Sequence, residues 1–177
     1  MIDATDTTLR ASIKALRDVV APALDPDATQ AAEQLRLVVD ALDFLRQRVG
    51  LVEERELFLL EHDLALARAV TSPAAACAPA CADALAAAIA RAEDVLARAA
   101  VRRAEVVEAG AALGAALREL IRDAATADPA ARDAIERATV RAARATIAAD
   151  RAWYLPQGFD PDPGAVPPIE AALAVRE

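Results

Sequence analysis

Apolar residues recur along this chain at steps of three and four, the spacing that lines one face of an α-helix. Leu35, Val38, Leu42, Leu45, Val49, Leu57, Leu60, Leu64 and Ala67 keep one phase at about 100° per residue, straight through Gly50. The pattern predicts one helix from about Ala28 to about Val70, ~65 Å long. A single glycine permits a kink but not a reversal, since antiparallel helices are usually joined by about 2 to 8 residues. A second pattern from about Ala82 to Ala125 puts Leu85, Ile89, Ala92, Leu96, Ala100, Val107, Gly110, Gly114 and Ile121 on one side. It predicts another rod of ~65 Å. The segment TSPAAACAP from Thr71 to Pro79 carries two prolines and supplies the reversal between the rods.

Shorter elements flank these rods. Asp6 or Thr7 caps a first helix carrying Leu9, Ile13, Leu16 and Val20, which Pro22 and Asp25-Pro26 close. Asp128-Pro129 opens a further helix to about Ala152, in the manner of an N-cap followed by proline at the first helical position. The stretch WYLPQGFDPDPGAVPP from Trp153 to Pro168 is too rich in proline for regular helix and reads as a strap, with a short helix after it carrying Ile169, Leu173 and Val175.

Short connections then predict an all-α fold. The first helix, the first half of rod one, the second half of rod two and the helix after Pro129 form a four-helix bundle at one end of a long antiparallel hairpin (28–70 and 82–125). Residues 1–152 are one domain, 153–177 the strap, and about 51–103 a protruding arm. Phe58, Leu59 and Leu66 lie off the main stripe, on the side a bare arm exposes to water, so they are the expected interface of a homodimer.

Composition narrows the function classes. The net charge is -8 and acidic residues interleave with the basic ones, which argues against binding nucleic acid phosphates. No uncharged apolar run of ~18 residues exists to span a membrane, and MIDATDTTLR lacks a signal-peptide pattern. With two cysteines and no disulfide framework, the expected location is the cytoplasm.

Candidate chemistry is sparse. Glu56, Asp63 and Arg103 are polar residues within the apolar stripes, and a hairpin turning near Ala76 brings Glu56 and Arg103 to nearby levels as an ion pair in the seam. Such a pair sets register more than it adds stability; alternatively these groups line a polar cavity for a ligand. His62, the single histidine, sits on the Phe58 face and is expected at solvent or an interface. The chain holds no Glu-x-x-His di-iron motif, and CAPAC (Cys77, Cys81) has neither zinc-ligand nor redox spacing. Gly-rich phosphate loops and nucleophile elbows are missing too. The expectation is no metal, no cofactor and no catalytic residue.

The segment LRDVVAPALDPDATQAAEQLRLVVDALDFLRQRV, Leu16 to Val49, has a helix ending in Pro-Ala-Leu followed by one with paired valines and Leu-Arg. In these features it resembles small helical proteins encoded near acyl-CoA dehydrogenases and aminoglycoside-phosphotransferase-like kinases. The resemblance implies an accessory role near acyl-CoA metabolism. Two functional readings follow: a non-catalytic helical accessory protein that dimerises or engages a protein partner, or a binding protein or enzyme with an apolar site between helices. A sizeable cavity lined by Glu56, His62 or Arg103 separates them.

Overall fold

The computed structural model describes residues 4–77, 79–126 and 128–174, with side chains described outside 76–80. Its regular structure is helical, and no strand occurs among the described residues, as the all-α pattern predicts. The chain divides into two compact units, Met1–Val52 with Trp153–Pro163, and Glu53–Ala152 with Gly164–Glu177, where the sequence suggested one domain over 1–152.

In the first unit α1 (Ala4–Ala15) continues through a π-helical turn (Leu16–Val20) into the short α2 (Ala21–Ala23), and α3 (Thr29–Arg48) packs beside it. Pro22 offers no N–H and its ring crowds the carbonyl four residues back. The wider π turn, in which the Ala21 N–H donates to the Leu16 carbonyl, absorbs that conflict. The helix therefore runs past Pro22 and ends where Leu24 turns extended at ψ 143°. Ile13 and Val39 are buried between the helices. At the other end Arg48, also buried, donates from Nε to the Trp153 carbonyl at 2.8 Å and lies over the indole at 5.8 Å, while Phe44 and Tyr154 stack at 6.0 Å. These contacts join the segment after residue 152 to α3.

The first predicted rod is interrupted at Gly50, where a 3-10 turn (Val49–Leu51) separates α3 from α4 (Val52–Cys77). It also ends later than Val70: α4 carries Pro73 inside it, and the Thr71 hydroxyl bonds the Ala67 carbonyl at 2.9 Å rather than capping a new helix.

The second unit holds α4, α5 (Pro79–Ala97), α6 (Arg103–Ala124), α7 (Pro129–Tyr154, as far as Ala152) and α8 (Ile169–Leu173). The second rod is thus two helices, a correction to the reading of 82–125 as one. The chain reverses over 98–102 and α5 packs along α6. Nothing at Ala99-Ala100-Val101 breaks a helix by itself. The stop comes from Glu105, whose carboxylate accepts from Arg98 at 2.9 Å, from the Arg102 N–H at 3.1 Å and from Arg102 Nε at 3.2 Å, with Arg102 extended at ψ 139°. These hydrogen bonds, Arg98 first, hold the Glu105 carboxyl down at about 2. Asp128 begins α7 as expected, its Oδ2 accepting from the N–H of Ala130 at 3.0 Å.

The reversal at 98–102 changes the architecture. Leu60, Leu64, Ala67, Val70 and Ala74 of α4 share one core with Leu85, Ala88, Ala92 and Val95 of α5, Leu113, Leu117 and Leu120 of α6, and Ile135 of α7. α1 and α3 belong to one unit and α6 and α7 to the other, and α4 and α5 share a packed core with α6 and α7 rather than projecting as a bare arm. Gly110 and Gly114 of α6 do not mark a close approach of another helix backbone. A methyl at Gly110 meets nothing within 4 Å, and one at Gly114 meets only the Arg118 and Asp63 side chains, at 3.3 and 3.9 Å.

Candidate functional site

Residues 61, 62, 64, 65 and 68 lie on adjoining faces of α4, and opposite them α5 presents 93, 96 and 97. Between these helices runs an open cleft of about 390 Å³, lined by Glu61, His62, Leu64, Ala65, Arg68, Glu93, Leu96 and Ala97. That size is within the range of small-ligand sites. Arg68 spans the cleft and gives two hydrogen bonds to Glu93 Oε1, from Nη2 at 2.6 Å and from Nε at 3.1 Å, so Glu93 Oε2 stands outside that pair. The leucines and alanines supply an apolar wall.

His62 is the unusual member. It is 4% exposed, correcting the expectation of a solvent or interface histidine. Its ring packs on Phe58 with centroids 4.0 Å apart, and Nδ1 is 2.9 Å from the Phe58 carbonyl. A carbonyl only accepts, so Nδ1 carries a proton, and in the neutral ring Nε2 is left as an acceptor. Nε2 is buried and meets no hydrogen-bond partner among the described residues. Buried polar atoms are nearly always paired, so this nitrogen stands out among the polar atoms of the cleft wall.

The neighbouring Asp63 turns away from the cleft toward α6, near Gly114 and Arg118. Burial pushes its carboxyl above the usual carboxylate range, with His62 and the Arg118 guanidinium pulling the other way. Glu56 and Arg103 do meet, at 3.4 Å, but Arg103 is 54% exposed at the side chain, so the pair closes the edge of the bundle rather than its interior. Arg55 and Asp150 form a second tie, between α4 and α7, at 2.7 Å. Of the four polar candidates named from the sequence, Glu56, His62, Asp63 and Arg103, only His62 lines the cleft. Glu61, Arg68 and Glu93 had no sequence signal beyond their helical spacing.

Phe58, Leu59 and Leu66 form no exposed face. Phe58 is 1% exposed and packs with Ala149 of α7 and Leu173 of α8, Leu59 is half-buried in the same cluster, and Leu66 packs against the main core. The interface assignment is corrected: the side left open by a two-helix arm is covered by α7 and by the helix that follows the strap. Cys81 donates from Sγ to Asp123 Oδ2 at 3.0 Å, while the Cys77 side chain lies outside the described residues.

Among the described residues no group of three or more His, Cys, Asp or Glu side chains is placed to hold a metal ion, and no helix is long and apolar enough to cross a membrane. Set against models of protein families, curated proteins and solved structures, the chain matches none.

Proposed function

We propose that this protein is a small-ligand binder whose site is the α4–α5 cleft. The reading is carried by the buried, unpartnered Nε2 of His62 at the wall of a cavity large enough for a small molecule. An unpaired buried acceptor costs about 1 to 3 kcal/mol, which a ligand donor that reaches it recovers. The apolar wall of Leu64, Ala65, Leu96 and Ala97 takes the body of the ligand, and the polar rim orients its head. The resemblance of Leu16–Val49 adds a setting, an accessory role near acyl-CoA metabolism in the cytoplasm.

Because the chain has one histidine, its imidazole nitrogens are a unique reporter. Hexylammonium, 1-hexanol and hexanoate are added to nitrogen-15-labelled protein while the His62 resonances are followed. At least one probe is expected to move Nε2, and Leu96→Trp, which fills the cleft, to abolish the shift. A silent Nε2 with all three probes refutes the reading.

A second reading rests on α3, where Leu37, Val38 and Leu45 are large, exposed and on one side of the helix. They support self-association, or docking of a protein partner, through the first unit. Sedimentation of Leu45→Glu beside the native chain tests it, with an unchanged mass refuting this reading.

A further inference from the structure

We propose that the first unit holds a separate binding groove for an organic anion, a single carboxylate on a short alkyl chain. The groove lies wholly within that unit and has a volume of about 350 Å³. Its apolar walls are Leu16, Ala21 and Leu24 on one side and Ala32, Leu35 and Val39 of α3 on the other. It shares no residue with the α4–α5 cleft and does not depend on the reading of that cleft.

Three charged side chains also line the groove, Arg17, Arg36 and Asp40, and their commitments decide its chemistry. Arg36 gives hydrogen bonds to both oxygens of Glu33, at 2.7 and 3.0 Å, and to Asp40 Oδ2 at 2.8 Å. Arg36 and Asp40 therefore occupy one another. Arg17 is different: it has no ion-pair or hydrogen-bond partner among the described residues, and the carboxylate next to it in sequence, Asp18, is taken by Lys14. A guanidinium keeps its charge at any working pH and presents a planar fork of donors that fits a carboxylate. Apolar walls with one uncommitted, permanent cation complement a ligand of the converse layout, an alkyl body with one anionic head. An ammonium head meets Arg17 as a like charge, and an alcohol head forgoes the charge-assisted hydrogen bonds. The backbone adds a second, independent observation. Leu16 and Arg17 both belong to the π-helical turn Leu16–Val20, so two consecutive residues, one apolar and one cationic, line the same groove. Single π turns within α-helices recur at functional sites.

The test adds octanoate, 1-octanol and octylammonium separately to the nitrogen-15-labelled full chain at neutral pH, with titration calorimetry for affinity. The Arg17 Nε resonance reports the groove, and the His62 nitrogens report the other cleft. Octanoate is expected to move Arg17 Nε and to bind there about tenfold more tightly than 1-octanol, with octylammonium weakest. Arg17 is exposed, so Arg17→Gln is expected to keep the fold, checked by its melting temperature, and to remove the octanoate advantage while binding of 1-octanol is kept. Ala32→Trp, at another exposed position of the lining, is expected to fill the groove and weaken both. If 1-octanol binds the groove as tightly as octanoate, or octanoate keeps its full affinity in Arg17→Gln, the anion assignment is overturned. If Arg17 answers only to vesicles containing phosphatidylserine and not to free octanoate, the groove is a membrane contact and the proposal falls.

Discussion

Phe58→Ala separates the two roles that the ring at this position can have. Phe58 is 1% exposed, closed in by Ala149 and Leu173, and packed on the His62 ring at 4.0 Å. Truncation removes the transfer free energy of a fully buried benzyl group and leaves a cavity, since α7 and α8 are held by further contacts of their own. Such changes cost about 3 to 5 kcal/mol. The aromatic contact with His62, about 0.5 to 1.5 kcal/mol in comparable pairs, places the expected loss in the upper part of that range. Urea denaturation followed by far-ultraviolet circular dichroism measures it, with sedimentation of the native protein alongside. A cost below about 1 kcal/mol, the value typical of a surface position, accompanied by a change in native mass refutes the burial argument and restores Phe58 as a contact between copies. A large cost with unchanged mass upholds it.

Further outcomes follow from the same coordinates. The Glu105 carboxyl is held at about 2, below its ordinary value near 4.5, so the stability it lends the 98–102 reversal is complete above pH 4.5 and is lost as pH falls toward 2. Amide exchange in that segment is expected to accelerate over this window in the native chain and to be fast at all pH values in Glu105→Gln; parallel profiles for the two proteins argue against the capping role. Asp63 has the opposite sign, because a raised carboxyl costs nothing while protonated and costs stability as pH rises through its folded value. Asp63→Asn is therefore expected to be at least as stable as the native chain at pH 7 and to lose that advantage in acid; a less stable variant at pH 7 shows instead that the pairing with Arg118 dominates. Gly110 lies within α6 with nothing within 4 Å of an added methyl, so Gly110→Ala is expected to raise stability by about 0.5 to 1 kcal/mol, a lowered melting temperature being the contrary result.

The helical character of the chain was legible because long windows repeat apolar residues at three and four without β-branched runs. The N-terminus at Asp128 and the short helix after Pro168 were legible for a different reason, a cap and a proline that act within one turn of themselves. The reversal at 98–102 was not, because no residue there disfavours helix and the stop depends on Glu105 gathering three donors at once. Phe58 was misplaced for want of one distant fact. Its angular position off the main stripe is right, but the surface that covers it comes from Ala149 and Leu173, far along the chain. His62 was recognised as a candidate, whereas the orphaning of its Nε2 and the pairing of Arg68 with Glu93 are properties of two helices side by side that no single-helix periodicity contains.

The division of the chain is interleaved: α4 to α7 are inserted between Val52 and Trp153, and the Arg48–Trp153 contact closes the first unit around both ends of the insertion. Neither unit can be cut out as one continuous fragment, because the first needs its 153–163 return segment and the second needs α8. A truncation that keeps residues 1–52 alone strips the first unit of its return segment, and one that keeps 53–152 alone strips the second of α8.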